Sequence, residues 1–228
     1  VIHEALILKA RMNEGQKLRY MVLEFKDALF MLPLWPAECR YCASRYRGHY
    51  YVWNRIVQGS VHGPNVYGRL SALTSRMGQA LSDTTEQRNQ TYVDDPVSVM
   101  LGTDERCDRL SARLAMLWLC LGWDLSYHKG QLADVVSWLG YSITVDEHSV
   151  AATIKEDFMK GLLDLVQTTL KRNKISIAEL RSLAGKANHV ATLIIAWRPF
   201  LNQIWAVIAK SKPDNAGSDQ AWVKAIAS

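Results

Sequence analysis

Two strand-like runs, Gln90 to Val93 and Val97 to Leu101, are separated by only Asp94-Asp95-Pro96. The chain must reverse within those three residues, so two acidic side chains stand at the tip of a tight hairpin. The flanking sequence constrains what covers it. From Pro64 onward, Val66, Leu70, Leu73, Met77 and Leu81 recur at spacings of three and four, which predicts an amphipathic helix burying that stripe. After the hairpin, Thr103 has the chemistry of an N-cap for a second helix with Cys107, Leu110, Leu114, Leu117 and Leu121 on its apolar side and Gly122 as its stop. This succession of strand and helix periods predicts a mixed α+β body.

Upstream, Leu18 to Phe25 is a short apolar run ending in charge at Glu24 and Lys26, the pattern of a buried strand with polar groups at its C-terminal end. Pro33 and Pro36 break the chain. Arg40 to Tyr46 and His49 to Arg55 then alternate around Arg47-Gly48 as a hairpin, and Val135 to Val145 is the last strand-like stretch. Beyond Ala151 strand signals vanish. A helix over Lys155 to Leu170 is followed by one announced by Ser176 and Glu179 at capping-box spacing, with Ile175 and Leu180 as a hydrophobic staple. Pro213 to Ser218 reads as a polar linker. The expected organisation is a mixed body over 1–150, a helical region over 151–212, and a linker or tail over 213–228.

Composition excludes several classes. The chain has 228 residues with 49% hydrophobic content, enough for a packed core. Its richest apolar runs, Leu114 to Trp123 and Val190 to Trp197, are shorter than the roughly 18 residues of a bilayer span, so no membrane protein is expected. It opens on Val1 with no signal-peptide pattern, as a piece of a longer protein would. Four cysteines without secreted-scaffold density point to a reducing compartment, cytoplasm or nucleus. Cys39 and Cys42 have the spacing of half a zinc site, but a second pair is missing and a strand would set them on opposite faces; zinc is not expected. Twenty-seven Lys and Arg against 22 Asp and Glu, net charge +5, suit a polyanionic partner.

Two adjacent acids in a turn are ordinarily solvated turn residues. Here the strand ending at Glu24 allows three carboxylates, Glu24, Asp94 and Asp95, to converge on one sheet end, where they repel one another unless a cation sits between them. Hard oxygen donors suit Mg²⁺ or Mn²⁺. Two such ions about 4 Å apart can activate an attacking hydroxyl and stabilise a leaving oxygen.

At this point an ordered set of motifs resembles the reverse transcriptases of retrotransposons. Glu24-Phe-Lys-Asp27-Ala28-Leu29 is similar to the first palm motif, Asp-x-x-Asp-Ala followed by an aromatic. Gln58-Gly59 with Gly63-Pro64 resembles the second, and Tyr92-Val93-Asp94-Asp95 the metal-binding turn. Lys129 after Gly122-Trp-Asp-Leu resembles the fourth motif's lysine, Trp138-Leu139-Gly140-Tyr141 the primer grip, and Leu180 to Asn188 with Trp197 to Phe200 the thumb.

The resemblance implies a right-hand polymerase palm, an antiparallel sheet backed by helices, with incomplete fingers and a C-terminal helical thumb, using dNTPs and an RNA or DNA primer-template. It leaves room for RNase H or integrase domains outside this segment. Glu24 and Asp94 would hold two metals with Asp95 in support, and Lys129 would protonate the pyrophosphate. Asp27, Ala28, Leu29, Gln58, Gly59 and Tyr92 would meet the nucleotide. Gly63, Pro64, Trp138, Leu139, Gly140, Tyr141 and Lys186 would contact primer or template. Two positions depart from the pattern: Glu24 stands where the family has Asp, and Leu29 where it has an aromatic that clashes with a ribose 2′-hydroxyl. The departures leave as alternatives a decayed copy that only binds nucleic acid, an interaction scaffold, and an RNA-templated RNA polymerase.

Overall fold

In the computed structural model, described here for residues 1–146, 149–210 and 220–223, the chain forms two compact units, residues 1–151 and 152–228. The first unit runs α1 (Ile2–Lys9), β1 (Lys17–Val22), a 3₁₀ turn over Ala28–Met31, α2 (Pro36–Cys39), β2 (Ala43–Tyr46), β3 (His49–Val52), α3 (Gly63–Ala80), β4 (Gln87–Tyr92) and β5 (Asp95–Gly102). It continues through α4 (Asp104–Cys120), a 3₁₀ turn over Tyr127–Lys129, β6 (Gln131–Ala133), β7 (Val135–Trp138), β8 (Tyr141–Val145) and the start of β9 (Val150–Ile154). The second holds α5 (Glu156–Leu170), β10 (Lys174–Ser176), α6 (Ile177–Leu193), a 3₁₀ turn over Ile195–Trp197, α7 (Arg198–Lys210) and β11 (Gln220–Trp222). The fold is α+β, with antiparallel sheets and seven helices among the described residues.

The central sheet has the order β4-β5-β1-β6. β5 lies inside it, in register with β1 from Lys17↔Gly102 to Val22↔Val97 and with β4 from Gln87↔Met100 to Tyr92↔Asp95. Met21 and Met100 join Cys107, Leu110 and Leu114 of α4 in one apolar cluster, while α1 packs against β5 with Ala5 and Leu8 buried. Pro96 to Gly102 is accordingly buried along its whole length, the behaviour of a strand covered on both faces. β7, β8 and β9 form a separate three-stranded sheet.

α4 starts as its sequence requires, with the Thr103 hydroxyl accepting from the Arg106 backbone N–H at 3.3 Å. It stops at Gly122, whose φ of +83° lets the Trp123 N–H reach the Trp118 carbonyl at 2.9 Å. Its buried stripe runs through Trp118 and leaves Leu121 exposed. α3 departs further from expectation. Val66, Leu73 and Met77 face solvent, and the buried residues are Gly63, Tyr67, Ser71, Thr74 and Gly78. A Cβ on Gly78 would stand 2.7 Å from Leu114 Cδ1, so the small residues of α3 allow an approach that a leucine stripe would prevent.

Three further expectations are corrected. Arg40 to Cys42, read as the start of a strand, form a turn instead: residues 36–39 are one helical turn started by Pro36 at its first position, and β2 begins only at Ala43. Val135 to Val145 is two strands, because Leu139 and Gly140 both adopt positive φ and close a two-residue hairpin between Trp138 and Tyr141. Strands also continue past Ala151: β9 runs to Ile154, and β10 pairs with β11 from Lys174↔Trp222 to Ser176↔Gln220. Three-residue strands are too short to display a period. β11 falls within the stretch read as linker or tail; Pro213 to Ser218 lies outside the described residues. The α6 capping box is complete, with Ile175 and Leu180 in the second unit's core. No helix among the described residues is long and apolar enough to cross a membrane.

Candidate active site

The β4–β5 turn places the two acids. Tyr92 pairs with Asp95, leaving Val93 and Asp94 as the central residues. Val93 has a φ of +54°, a conformation that costs a β-branched residue on the order of 1–3 kcal/mol. Surrounding bonds hold it there. Ser71 donates to the Val93 carbonyl at 2.5 Å, the Phe25 N–H to the Asp94 carbonyl at 3.0 Å, and the Leu23 N–H to the Pro96 carbonyl at 3.3 Å. The last two bind the turn to the segment following β1, which brings Glu24 alongside Asp94.

A second set of backbone bonds brings Lys129 in. The Lys26 N–H donates to the Asp124 carbonyl at 2.8 Å, and the Ser126 N–H to the Glu24 carbonyl at 2.9 Å, around an isolated bridge between Phe25 and Leu125. The 3₁₀ turn that follows carries the Lys129 ammonium onto Glu24, 2.7 Å from Oε1 and 2.5 Å from Oε2. That bond, more than the surrounding charges of Glu24, Asp95 and Asp94, raises the Lys129 pKa above its ordinary value. Burial pushes the Asp95 carboxyl up, the negative charges of Asp94 and Glu24 push it further, and Lys129 opposes them.

Glu24 and Asp94 share a pocket of about 210 Å³ with Asp27, Ala28, Leu29, Phe30, Gln58, Tyr67 and Val93. Of the residues assigned from sequence to chemistry and nucleotide binding, the fold thus gathers Glu24, Asp27, Ala28, Leu29, Gln58 and Asp94 around one cavity. Asp95 adjoins it and Lys129 is bonded to its wall. Asp27 adopts a φ of +51°, which Asp tolerates, and turns the chain into the 3₁₀ segment that presents Leu29. Gly59 and Tyr92 are exposed and do not line the pocket. Gly63 and Pro64 begin α3 and border other clefts. Trp138 is tied to the acidic turn, its indole N–H donating to the Asp95 carbonyl at 3.1 Å. Leu139 and Gly140 form the tip of the next hairpin, and the Tyr141 ring is buried in the unit. Lys186 lies on the exposed side of α6, in the second unit.

Tyr67 and Ser71 were not assigned from sequence. Tyr67 is fully buried at the pocket wall, and its hydroxyl has no hydrogen-bond partner among the described residues. Burial drives its pKa well above the usual phenol value, and the charges of Asp94 and Asp95 act in the same direction. The available signal was the spacing 67, 71, 74, 78, a second helical stripe of small and hydroxylated residues that a hydrophobicity period passes over.

The donor set has the chemistry a divalent cation requires: carboxylate oxygens that repel one another when it is absent. Mg²⁺ is completed by waters and substrate phosphates and does not need an all-protein cage. As the side chains stand, no group of three His, Cys, Asp or Glu among the described residues is gathered tightly enough to hold an ion, and Lys129 covers both oxygens of Glu24.

No family model matches the chain, and neither does any curated protein sequence. Solved structures do. A foamy viral protease-reverse transcriptase in complex with an RNA/DNA hybrid aligns at a TM-score of 0.66 and 16% identity, over 97% of this chain and 28% of that one. A dRH form in complex with double-stranded DNA gives 0.63 and 17%, over 100% and 36%, and a further complex with double-stranded DNA gives 0.56 and 17%, over 88% and 38%. This chain has a reverse-transcriptase-like fold, and it spans well under two thirds of those proteins.

Proposed function

We propose that the chain is the palm and thumb of a retrotransposon RNA-directed DNA polymerase, performing two-metal nucleotidyl transfer from dNTPs to a primer 3′-hydroxyl on an RNA or DNA template. The observation that carries the reading is the meeting of Glu24 and Asp94 with Asp27, Leu29 and Gln58 at one pocket, in a fold like that of reverse transcriptases. Glu24 and Asp94 would hold two Mg²⁺ or Mn²⁺ ions with Asp95 beside them. When bound, such ions make the primer hydroxyl a better nucleophile and neutralise charge on the transferring phosphoryl group.

The protein's own groups do the rest. The backbone at Asp27 and Ala28 receives the triphosphate, and Gln58 faces the sugar. Lys129, kept protonated by Glu24, has the charge state of an acid for the leaving pyrophosphate, a role that contributes about 10² to 10⁴ in rate. To play it, Lys129 must exchange the Glu24 carboxylate for a phosphate oxygen. Primer and template contacts would fall largely on the phosphate backbone, since a polymerase accepts any sequence.

The Glu24–Lys129 pair favours a second reading, a polymerase fold that binds nucleic acid without turnover. Primer extension on a poly-rA template with oligo-dT, in Mg²⁺ and then Mn²⁺, separates the two. Glu24 carries one methylene more than Asp, a displacement of about 1 Å, and a misplacement of that size costs on the order of 10²-fold. Extension that is lost in Asp94→Asn and rises by roughly that factor in Glu24→Asp supports the polymerase. Failure of both the parent and Glu24→Asp to extend, with salt-dependent duplex binding retained, supports the binding-only reading.

A further inference from the structure

β2, β3 and the residues on either side of them leave six aromatic side chains exposed: Trp35, Tyr41, Tyr46, Tyr50, Tyr51 and Trp53. Every residue of both strands is exposed; Tyr46 is 60% accessible, Tyr50 73% and Tyr51 49%. Arginines lie against these rings, with the Arg40 guanidinium 4.7 Å from the Tyr41 centroid, Arg47 5.2 Å from Tyr46 and Arg45 5.6 Å from Tyr50. Between Trp35 and Arg55 the sequence has four arginines and one acid, Glu38. Among the described residues no carboxylate pairs with Arg40, Arg45 or Arg47.

The register sorts the rings onto faces. Ser44 pairs with Tyr51 and Tyr46 with His49, so Tyr46 and Tyr51 share one side of the ribbon. Trp53 lies on that side too, its indole N–H donating to the Ser44 hydroxyl at 3.2 Å. The Trp53 ring is 6.2 Å from Phe30, tilted by 30°, and Phe30 lines the pocket that holds Glu24 and Asp94. An aromatic row therefore runs from the hairpin tip, where the Arg47 guanidinium lies against Tyr46, to the wall of the carboxylate pocket, while Arg45 and Tyr50 pair on the opposite side of the ribbon.

The chemistry of this surface selects its occupant. A wholly apolar partner would cover the rings but leave three guanidiniums without counter-charge. Intact duplex offers phosphates, but its base faces are already stacked on one another. A single strand supplies both, since every base has a free π-face and every linkage a negative charge. We propose that the β2–β3 hairpin is a binding platform for single-stranded nucleic acid, with bases stacking on Tyr46, Tyr51 and Trp53 and phosphates meeting Arg47 at the end of that row. This goes beyond the polymerase reading, because binding here needs no metal, nucleotide or acidic residue. The row's end at Phe30 places the strand so that it leads into the pocket.

The test is fluorescence anisotropy with labelled oligo-dT and oligo-rU, in EDTA, using the whole chain and four variants. Tyr46→Ala/Tyr51→Ala should weaken single-strand binding by about tenfold or more, since each stacked base lost has an effect of that order. Tyr46→Phe/Tyr51→Phe keeps the rings and should bind like the parent. Arg47→Ala should weaken binding and flatten its dependence on salt. Asp94→Asn should bind like the parent whether or not any variant extends primers, so this result stands apart from that of the polymerase assay. No binding of either oligonucleotide by the parent, or parent-like affinity in both the Tyr→Ala pair and Arg47→Ala, would overturn the platform; the second is also the outcome if a protein partner covers the hairpin. Loss in the Phe pair would overturn stacking as its basis.

Discussion

At the scale of single residues, the pocket departs at Glu24 and Leu29 from the reverse-transcriptase pattern that the sequence resembles, and each departure has a separate consequence. Glu24 reaches far enough to meet the Lys129 ammonium with both oxygens, a contact that ties the acidic segment after β1 to the turn before β6. Leu29 lines the pocket, and under the proposed polymerase reading it stands where an aromatic ring would bar a ribose 2′-hydroxyl. Leu29→Phe is therefore expected to raise selectivity for dNTPs over rNTPs, measured as the ratio of the two kcat/KM values in primer extension. An unchanged ratio would remove Leu29 from the specificity account. The carboxylates were legible in the sequence because charge at the end of an apolar run and in a tight reversal shows within a short window, although the reversal falls at Val93-Asp94, with Asp95 and Pro96 already in β5, and not across residues 94–96. Tyr67 and Ser71 were not, because a tyrosine and a serine on a helix acquire meaning only once the turn they contact is known.

At the scale of elements, α3 is the instructive case. Its leucine and valine period is real, but the helix buries the neighbouring stripe. Close packing against Leu114, the Ser71 bond to Val93 and the acceptance by Thr74 Oγ1 of the Trp123 indole N–H at 3.3 Å outweigh the burial of Val66 and Leu73. At an exposed helical position Gly→Ala gains about 1 kcal/mol. At Gly78 the added Cβ meets Leu114 Cδ1 inside the core, and overpacking of this kind costs about 1–3 kcal/mol. Gly78→Ala should therefore lower the urea midpoint of the first unit; a raised midpoint would show that Leu114 yields freely.

The α6 capping box was predicted from local spacing and formed as predicted, and it carries a pH dependence. The Ser176 hydroxyl and N–H, then Arg172, hold the Glu179 carboxyl below its ordinary value of 4.5. A carboxyl with a depressed folded pKa stabilises the fold above its unfolded value, and that contribution disappears as pH falls through the folded value. Glu179→Gln should melt below the parent at pH 7, and the gap should close on acidification from about pH 4.5 downward. A gap constant down to pH 3 would assign the effect to packing instead.

At the scale of the whole molecule, a net charge of +5 and the arginines of the hairpin predict nucleic-acid binding governed by counterion release. Raising salt from 50 to 200 mM should weaken primer-template binding by about tenfold or more, the loss that neutralising only two or three phosphates would produce. Salt-insensitive binding would argue for contacts of another kind.

The sequence by itself determined the elements whose causes are local: the acidic hairpin, the capped starts of α4 and α6, the glycine stop after α4, and the order of motifs along the chain. These follow from bonds made within a few residues. Only the tertiary structure decided which stripe of α3 is buried, that β10 finds β11, that Lys129 covers Glu24, and that the aromatics of β2 and β3 stay in solvent. Each depends on partners distant in sequence, joined by contacts that no local period records.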